Sequence, residues 1–297
     1  MLDTLRALRF VARHPLNRRA PVRAIARVMA WQLATRLRSD TAVVPFVGGT
    51  RLLVRRGMTG ATGNVYCGLH EFEDMGFVLH ALRPDDLFVD IGANVGSYTV
   101  LAAGAVGARC IAFEPAAPAY RALLDNLRLN DLTERVEVRK EALAAVAGEA
   151  EFTAGLDTVN HVVAGDERPS GTERVLITTL DAALAERAPA IIKMDVEGYE
   201  TAVVLGADRT LRSPVLRAVL LELNGSGARY GFDERSLHER MLAYHFTPAA
   251  YDPLRRLLRT REWSQGSSGN VLYVRDPAEM GLHLATARAH EVHGTAV

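Results

Sequence analysis

The sequence predicts an α/β protein built on a mostly parallel sheet of seven strands. Three observations predict it. The composition, 48% hydrophobic and 24% charged over 297 residues, is that of a globular chain and rules out disorder or a fibrous repeat. From residue 86 onward, short apolar runs alternate with helical segments, and repeated β-α units imply a parallel sheet with helices on both faces. The last two apolar runs lie too close for a helical crossover, so they form an antiparallel pair.

Residues 1–40 read as a basic amphipathic extension of two short helices. In the second, Val22, Ile25, Met29, Leu33 and Leu37 recur at steps of three and four and make one apolar face. Pro21 suits its first turn. Arg18, Arg19, Arg23, Arg27, Arg36 and Arg38 supply much of the polar surface. Two readings stay open: a helical cap packed on the main domain, or a surface that touches anionic lipid or a phosphorylated carrier. Residues 41–83 form a lead-in. Val43–Val47 and Arg51–Arg55 flank Gly48-Gly49, a turn pair that permits positive φ. Leu69, Phe72, Met75, Leu79 and Leu82 mark one helix face, which Pro84 and Asp85 end.

The main domain occupies 84–276. Its strands are expected at 87–91, 109–113, 135–139, 190–195, 216–223, 246–251 and 270–274. Helices are expected through about 105, to about 130, at 180–187, 197–211 and 233–245. Residues 146–178 read as a hairpin or loop insertion. The tail, 277–297, has weak signals and is expected to be mobile.

The formal net charge is zero, from 35 basic and 35 acidic residues. It is unevenly spread. Residues 1–40 hold nine arginines against Asp3 and Asp40, a balance of +7, so the remainder carries −7. The only lysines are Lys140 and Lys193. Cys67 and Cys110 make neither a disulfide scaffold nor a zinc cluster and read as reduced thiols. No apolar run approaches the ~20 residues that span a membrane, and residues 1–40 lack the apolar stretch of a secretory signal. A cytoplasmic location is expected, with the extension peripheral to the inner membrane surface as its open variant.

The informative stretch is Asp90-Ile91-Gly92-Ala93-Asn94-Val95-Gly96, directly after the first strand. In an open α/β sheet, ligands bind at the carboxyl ends of strands. Gly92 and Gly96 permit a tight turn and a close backbone approach. Glu114 ends the second strand, where an acid accepts hydrogen bonds from ribose hydroxyls. A dinucleotide fingerprint needs G-x-G-x-x-G, a spacing absent here, and Asp90 would repel a pyrophosphate. S-adenosylmethionine carries a sulfonium and no phosphate, and suits an acidic loop.

The runs DIGANVGSYT, AFEP, IIKMDVEGYE and LLELNG, with NVYCGLHEFEDM upstream, resemble the FkbM-type S-adenosylmethionine-dependent methyltransferases. The resemblance extends from about Pro45 to Val274. The lead-in HPLNRR…WQLATRL also resembles leaders on some members. It implies a Rossmann-like class I methyltransferase fold and methylation of a hydroxyl oxygen, with Asp90, Gly92, Asn94, Gly96 and Glu114 at the cofactor. Glu141, after the third strand, reads either as an acid near the adenine or as a solvated surface acid.

The fourth strand should end beside the cofactor. Period two puts Lys193 and Asp195 on one face, and a strand-interior ammonium needs a partner. Asp195 is the expected base or hydroxyl-orienting carboxylate. Lys193 would tune it or bind the acceptor oxygen, and Glu197 would hold a substrate hydroxyl; a purely structural Lys–acid pair is the alternative. Asn160, His161, Glu222 and Asn224 stand where an acceptor would be recognised. His161 is an alternative base or an exposed loop histidine. Tyr66 and Glu71 are candidates to close over the cofactor, though Glu71 also reads as a polar helix-face residue. Asp195, Glu197 and Glu222 could offer oxygen ligands, but without a His-rich set no metal is expected.

The expected acceptor is a small molecule or glycan: a sugar, a polyketide-type product or a lipid-linked saccharide. Base methylation would call for an Asn/Asp-Pro-Pro-aromatic loop where this chain has Asp195-Val196-Glu197-Gly198. The acidic body also lacks a basic stripe for phosphates, so no nucleic-acid partner is expected. A nicotinamide oxidoreductase and a non-catalytic cofactor-binding scaffold remain the alternatives.

Overall fold

The computed structural model describes residues 2–37, 41–55, 57–156, 159–165, 167–264 and 269–297. Arg38 therefore lies outside the described residues. Helices α1 (Leu2–Arg13) and α2 (Pro21–Leu37) precede a hairpin of β1 (Thr41–Pro45) and β2 (Arg51–Arg55). Gly48 and Gly49 turn it with φ of +61° and +85°, the conformation that favours glycine. Helix α3 (Thr59–Cys67) follows. Its sequence, rich in Gly and Thr, carries no helical apolar stripe, so tertiary packing overrides weak propensity here. Helix α4 (Phe72–Ala81) then leads into the main sheet.

That sheet begins with β3 (Leu87–Ile91), α5 (Ser97–Val100), a π-helical turn over Leu101–Val106, β4 (Arg109–Phe113), α6 (Ala117–Leu129) and β5 (Val136–Arg139). A small side sheet follows, from β6 (Glu141–Leu143), β7 (Gly148–Thr153) and β8 (Thr172–Thr178). The chain returns through α7 (Leu180–Leu184) to β9 (Ile191–Met194). The single helix expected over 197–211 is two, α8 (Glu200–Leu205) and α9 (Asp208–Arg212). The break falls at Gly206, where a Cβ would lie 2.1 Å from the Ala144 carbonyl oxygen. Then come β10 (Ala218–Glu222), α10 (Glu234–Ala243), β11 (Thr247–Asp252), β12 (Leu257–Thr260) and β13 (Asn270–Val274).

The strand order is β12-β11-β13-β10-β9-β3-β4-β5. Strands β5 to β10 run parallel along this order, and β13, β11 and β12 join antiparallel. The sheet has eight strands rather than the expected seven, because the segment between the last two expected strands folds back as β12 on the edge. Its two faces bury separate apolar layers, one around Phe77, Phe88 and Leu101, the other around Phe113, Phe246 and Tyr273. This is the Rossmann-like order in which the chain winds out from β3 to β5 and then reverses to β9.

One expectation needs correction, and one open choice, which side of α2 packs, is decided. The tail is folded: Asp276 caps α11 (Pro277–Ala285), and β14 (Glu291–Val292) pairs with β15 (Thr295–Ala296), closed by His290 and Val297 exchanging backbone hydrogen bonds. In α2, the face of Val22, Met29, Leu33 and Leu37 is exposed, and Ala24, Val28, Trp31 and Thr35 pack inward instead. The buried side holds the largest side chain, Trp31, and the polar groups that find partners on α3.

Arg275 ties β13 to the ends of neighbouring elements. Its guanidinium donates to the carbonyls of Leu216, Tyr244 and Leu211 and lies 4.3 Å above the Phe246 ring. Arg275→Met keeps the stem and strands three acceptors, so urea unfolding should show a loss of about 2–4 kcal/mol. A loss within experimental error would contradict this role.

Candidate active site

In an open α/β sheet, the crevice lies where the winding reverses, here between β3 and β9. Those strands pair in parallel with Asp90 opposite Lys193. One cavity opens at their carboxyl ends, and its lining includes Asp90, Gly92, Asn94, Glu114, Lys193 and Asp195.

The β3 loop explains its own residues. Gly92 has φ +77°, and a Cβ there would fall 1.8 Å from the Asp195 carbonyl oxygen. No side chain fits between the loops after β3 and β9. The N–H groups of Gly92 and Ala93 both donate to the Phe113 carbonyl, at 3.0 Å each. Asn94 adopts φ +51°, its N–H donates to Glu114 Oε2 at 2.8 Å, and its own Oδ1 accepts from Val95. Gly96, at φ +86°, opens α5 where a Cβ would meet Leu123 at 2.3 Å. It shapes the turn without lining the cavity. Ala116 N–H donates to Glu114 Oε1 at 2.8 Å. Each Glu114 oxygen thus takes one backbone donor and keeps a second lone pair.

Lys193 is buried, with Nζ 2.7 Å from Asp195 Oδ2 and 4.8 Å from the Tyr98 ring centroid. Burial works against its charge, but Asp195, Glu71 and Asp90 outweigh burial and raise its pKa. It is therefore an ammonium. Burial likewise opposes the charge of Asp195, and Lys193 overcomes it, holding that carboxyl below its usual range. Oxygen atoms of Asp195, Glu197 and Glu222 lie within 4.8 Å of one another. Three charges so close repel. Burial and the Asp195 charge push Glu222 up to about 9, and burial and the same charge push Glu197 up to about 7. Glu222 holds the proton that relieves the cluster. Glu200, behind the loop, braces it by accepting from Val196 and Gly198 N–H at 2.9 and 3.3 Å.

The other expected residues divide. Glu71, Glu141 and Asn160 also line the cavity. Glu141 is paired with Arg139 at 2.6 Å, so it is neither free toward the cavity nor fully solvated. Glu71 accepts from the Tyr98 hydroxyl at 2.7 Å and from Asn270 at 3.2 Å. Tyr66, His161 and Asn224 are not part of the lining. Tyr66 faces the leader, where its hydroxyl accepts from Gln32. The His161 ring is engaged by the Val159 carbonyl and Glu167, at 2.9 and 3.2 Å, so it is neither an exposed loop histidine nor placed as a base. Asn224 is exposed and caps the Ser226 N–H.

Sequence reasoning missed Tyr98, Asn270 and Asp74, which extend from Glu71 as one hydrogen-bonded chain; Asn270 donates to Asp74 at 2.9 Å. It also missed Tyr199, Phe152 and Val162, which wall the cavity with apolar surface. Asp74, Tyr98 and Tyr199 had a signal, their places in the EFEDM, DIGANVGSYT and IIKMDVEGYE runs. The rest come together from distant segments.

Residues 90–252, more than half of the chain, match the family described as methyltransferase FkbM domain. No curated protein matches significantly. Among solved structures, the C-terminal domain of precorrin-6Y C5,15-methyltransferase from Rhodobacter capsulatus is similar at 16% identity and a TM-score of 0.39, over 69% of this chain and 88% of that one. A SAM-dependent methyltransferase from Agrobacterium tumefaciens is similar at 11% identity and a TM-score of 0.44, over 80% of this chain and 71% of that one. An rRNA methylase from Streptococcus thermophilus is similar at 13% identity and 0.39, over 67% and 91%. Likenesses this distant say nothing about acceptor or chemistry.

The buried acids make stability depend on pH. Burial holds Asp74, Glu114, Glu197 and Glu200 up to about 7 and Glu222 up to about 9, against roughly 4 in an unfolded chain. Between those values the folded state binds more protons, so stability falls as pH rises. Histidines oppose this. Burial lowers His14, His80 and His293 to about 4, so stability rises with pH until the unfolded histidines lose their protons near 6.5. The trends offset below about pH 6.5, and above it the acids act together with the Cys67 thiol, which burial holds up to about 12 against roughly 8.5 in an unfolded chain, in the same direction. Urea midpoints should therefore fall from pH 7 to pH 9, and Glu222→Gln should flatten the fall. A midpoint that rises over that window would contradict the assignment.

Proposed function

The chain belongs to the methyltransferase FkbM family and is an S-adenosylmethionine-dependent methyltransferase, and from that premise we propose that it methylates a hydroxyl oxygen of a small molecule or glycan. A sugar, a polyketide-type product and a lipid-linked saccharide all fall in that class. The charge of the cavity carries this reading. Seven acidic side chains line it (Glu71, Asp90, Glu114, Glu141, Asp195, Glu197 and Glu222), of which Glu222 keeps its proton, against one lysine and no arginine among the described residues. Such a wall repels phosphate-bearing acceptors, whereas an acceptor rich in hydroxyls offers donors that carboxylates accept.

The residues present fit the cofactor. Asp90 is 1% exposed, and its Oδ1 has no partner among the described residues. Glu114 keeps a lone pair on each oxygen for ribose hydroxyls, and Gly92 leaves backbone where a side chain would intrude. Asp90, Gly92, Asn94 and Glu114 would hold S-adenosylmethionine, with Glu141 beside them. When bound it supplies an electrophilic methyl group on a cationic sulfur.

The remaining tasks fall to this chain's own side chains. Asp195 stays ionised and is fixed by Lys193, so it orients the acceptor hydroxyl. Its lowered pKa makes it a weak proton acceptor. Glu197, pushed up to about 7 by burial, is better matched to taking the proton at neutral pH. Glu222, protonated, donates to a second oxygen of the acceptor. Alignment at near-attack distance supplies up to ~7–11 kcal/mol of the barrier.

Asp195→Asn should bind S-adenosylmethionine normally by calorimetry and lose turnover about 100-fold or more. Glu197→Gln should also fall about 100-fold and lose a rate inflection near pH 7, an inflection that Asp195→Asn keeps but moves to lower pH, because the Asp195 charge helps burial to raise Glu197. The acceptor class is read by incubating labelled S-adenosylmethionine with glycan and small-molecule fractions and identifying the product linkage. An N-, S- or C-methyl product would overturn the hydroxyl reading.

A further inference from the structure

The apolar face of α2 points away from the protein. At about 100° per residue, Val22, Met29, Leu33 and Leu37 share one arc, and they are 78%, 61%, 59% and 73% exposed. Ala24, Val28, Trp31 and Thr35 occupy the opposite arc and are buried. The helix is firmly seated by that second side. Arg27 donates to the Tyr66 carbonyl and to Asn17 Oδ1 at 2.6 and 2.8 Å, and Gln32 donates to the Tyr66 hydroxyl at 2.8 Å. Val11 of α1 and Cys67 of α3 pack with Ala24 and Val28. The outward face is thus a fixed feature of the fold.

Exposed basic residues share the two helices with it. Arg23 and Arg36 are exposed on α2, Arg18 and Arg19 precede it, and Arg6, Arg9 and Arg13 are exposed on α1 beside Leu5. Residues 1–40 contain two acids, Asp3 and Asp40. An apolar ridge flanked by long basic side chains is the pattern of a helix lying in a membrane interface, with aliphatic groups in the acyl boundary and guanidiniums at the headgroups. The other exposed large apolar residues, such as Val146, Leu205, Val215, Leu242 and Leu282, are spread over separate elements. A second copy would bring the same arginine-flanked face against this one, and those like charges repel.

We propose that α1 and α2 form a docking surface for an anionic membrane, with Val22, Met29, Leu33 and Leu37 inserting and the arginines pairing with lipid headgroups. The surface is electrostatic and apolar together, so each half is needed.

The full-length protein is tested by flotation with phosphatidylcholine vesicles with and without about 30 mol% phosphatidylserine. Flotation is expected with the anionic vesicles, at least tenfold weaker with neutral ones, and weakened again on raising salt from about 0.1 to about 0.5 M. Two variants separate the halves: Met29→Ser with Leu33→Ser and Leu37→Ser, and Arg6→Gln with Arg9→Gln, Arg13→Gln and Arg36→Gln. Each should lose flotation at least tenfold while keeping its circular dichroism and its affinity for S-adenosylmethionine. Absent flotation, equal flotation with neutral vesicles, or unchanged flotation of either variant overturns the proposal. So does lipid-free sedimentation showing a dimer that the serine variant dissolves, or selective binding of an acidic carrier protein without vesicle binding.

Discussion

Burying an ammonium in a strand costs several kcal/mol unless anions offset it, and Lys193 is placed where three do so. Asp90 faces it from the neighbouring β3, Asp195 follows it two residues on, and Glu71 reaches it from the start of the helix before the sheet. The dependence is mutual. Without the ammonium, Asp195 would share the fate of Glu222 and Glu197, acids that burial and mutual repulsion push upward. One positive charge therefore decides which carboxyl in the cluster is ionised. It also explains why a chain with 33 arginines keeps a lysine here. A compact ammonium stands 4.8 Å from the Tyr98 ring centroid and turns one donor to Asp195, whereas a planar guanidinium is a larger and differently shaped group.

The second constraint is mechanical. The space a Cβ on Gly92 would need is taken by the Asp195 carbonyl, so the loop after β3 and the loop after β9 cannot move independently. The first carries the residues read as holding the cofactor, the second those read as handling the acceptor. Non-glycine residues in left-handed conformation occur in both loops, Asn94 at φ +51° and Glu197 at φ +55°. Such backbone persists only where its surroundings over-determine it. Here those surroundings are the Glu114 oxygen accepting from Asn94 and the Glu200 oxygen accepting on either side of Glu197. A loop that aims a carboxyl group is thereby held by a second carboxyl group behind it.

Much of this was legible because it is local. Strand-helix alternation, the glycine spacing, Asp90, Glu114 and the Lys193/Asp195 period depend on neighbours within a few residues, and all but Gly96, which shapes the turn without lining the cavity, appear where the pattern put them. What stayed hidden joins distant segments. Asn270 meets Glu71 and Asp74 only because β13 inserts beside β10, and Phe152 and Val162 reach the cavity only through the side sheet. His161 and Asn224 were placed by proximity along the chain, but one turned into its own loop and the other to solvent. Which side of α2 packs stayed open for a related reason. Periodicity identifies an apolar stripe but not what lies opposite it, and the opposite stripe held Trp31 together with polar groups that found partners on α3.

Tyr66 illustrates how a misplaced residue changes the picture. Sequence position suggested that it closes over the cofactor. Instead its carbonyl accepts from Arg27 and Asn17, and its hydroxyl accepts from Gln32, so it fastens the leader to α3. The same helix turns Gly60 and Asn64 toward the cavity, and Asn64 in turn receives the His70 N–H at 2.9 Å. Helix α3 is thus a shared wall, with the basic leader on one side and the acidic cavity on the other. The zero net charge conceals this arrangement. The described part of the basic leader and the acidic cavity lie on either side of a helix whose own residues are mostly small or uncharged. Because the leader is tied to that wall by three hydrogen bonds to a single tyrosine, any surface that engages the leader fixes the orientation of the cavity relative to it.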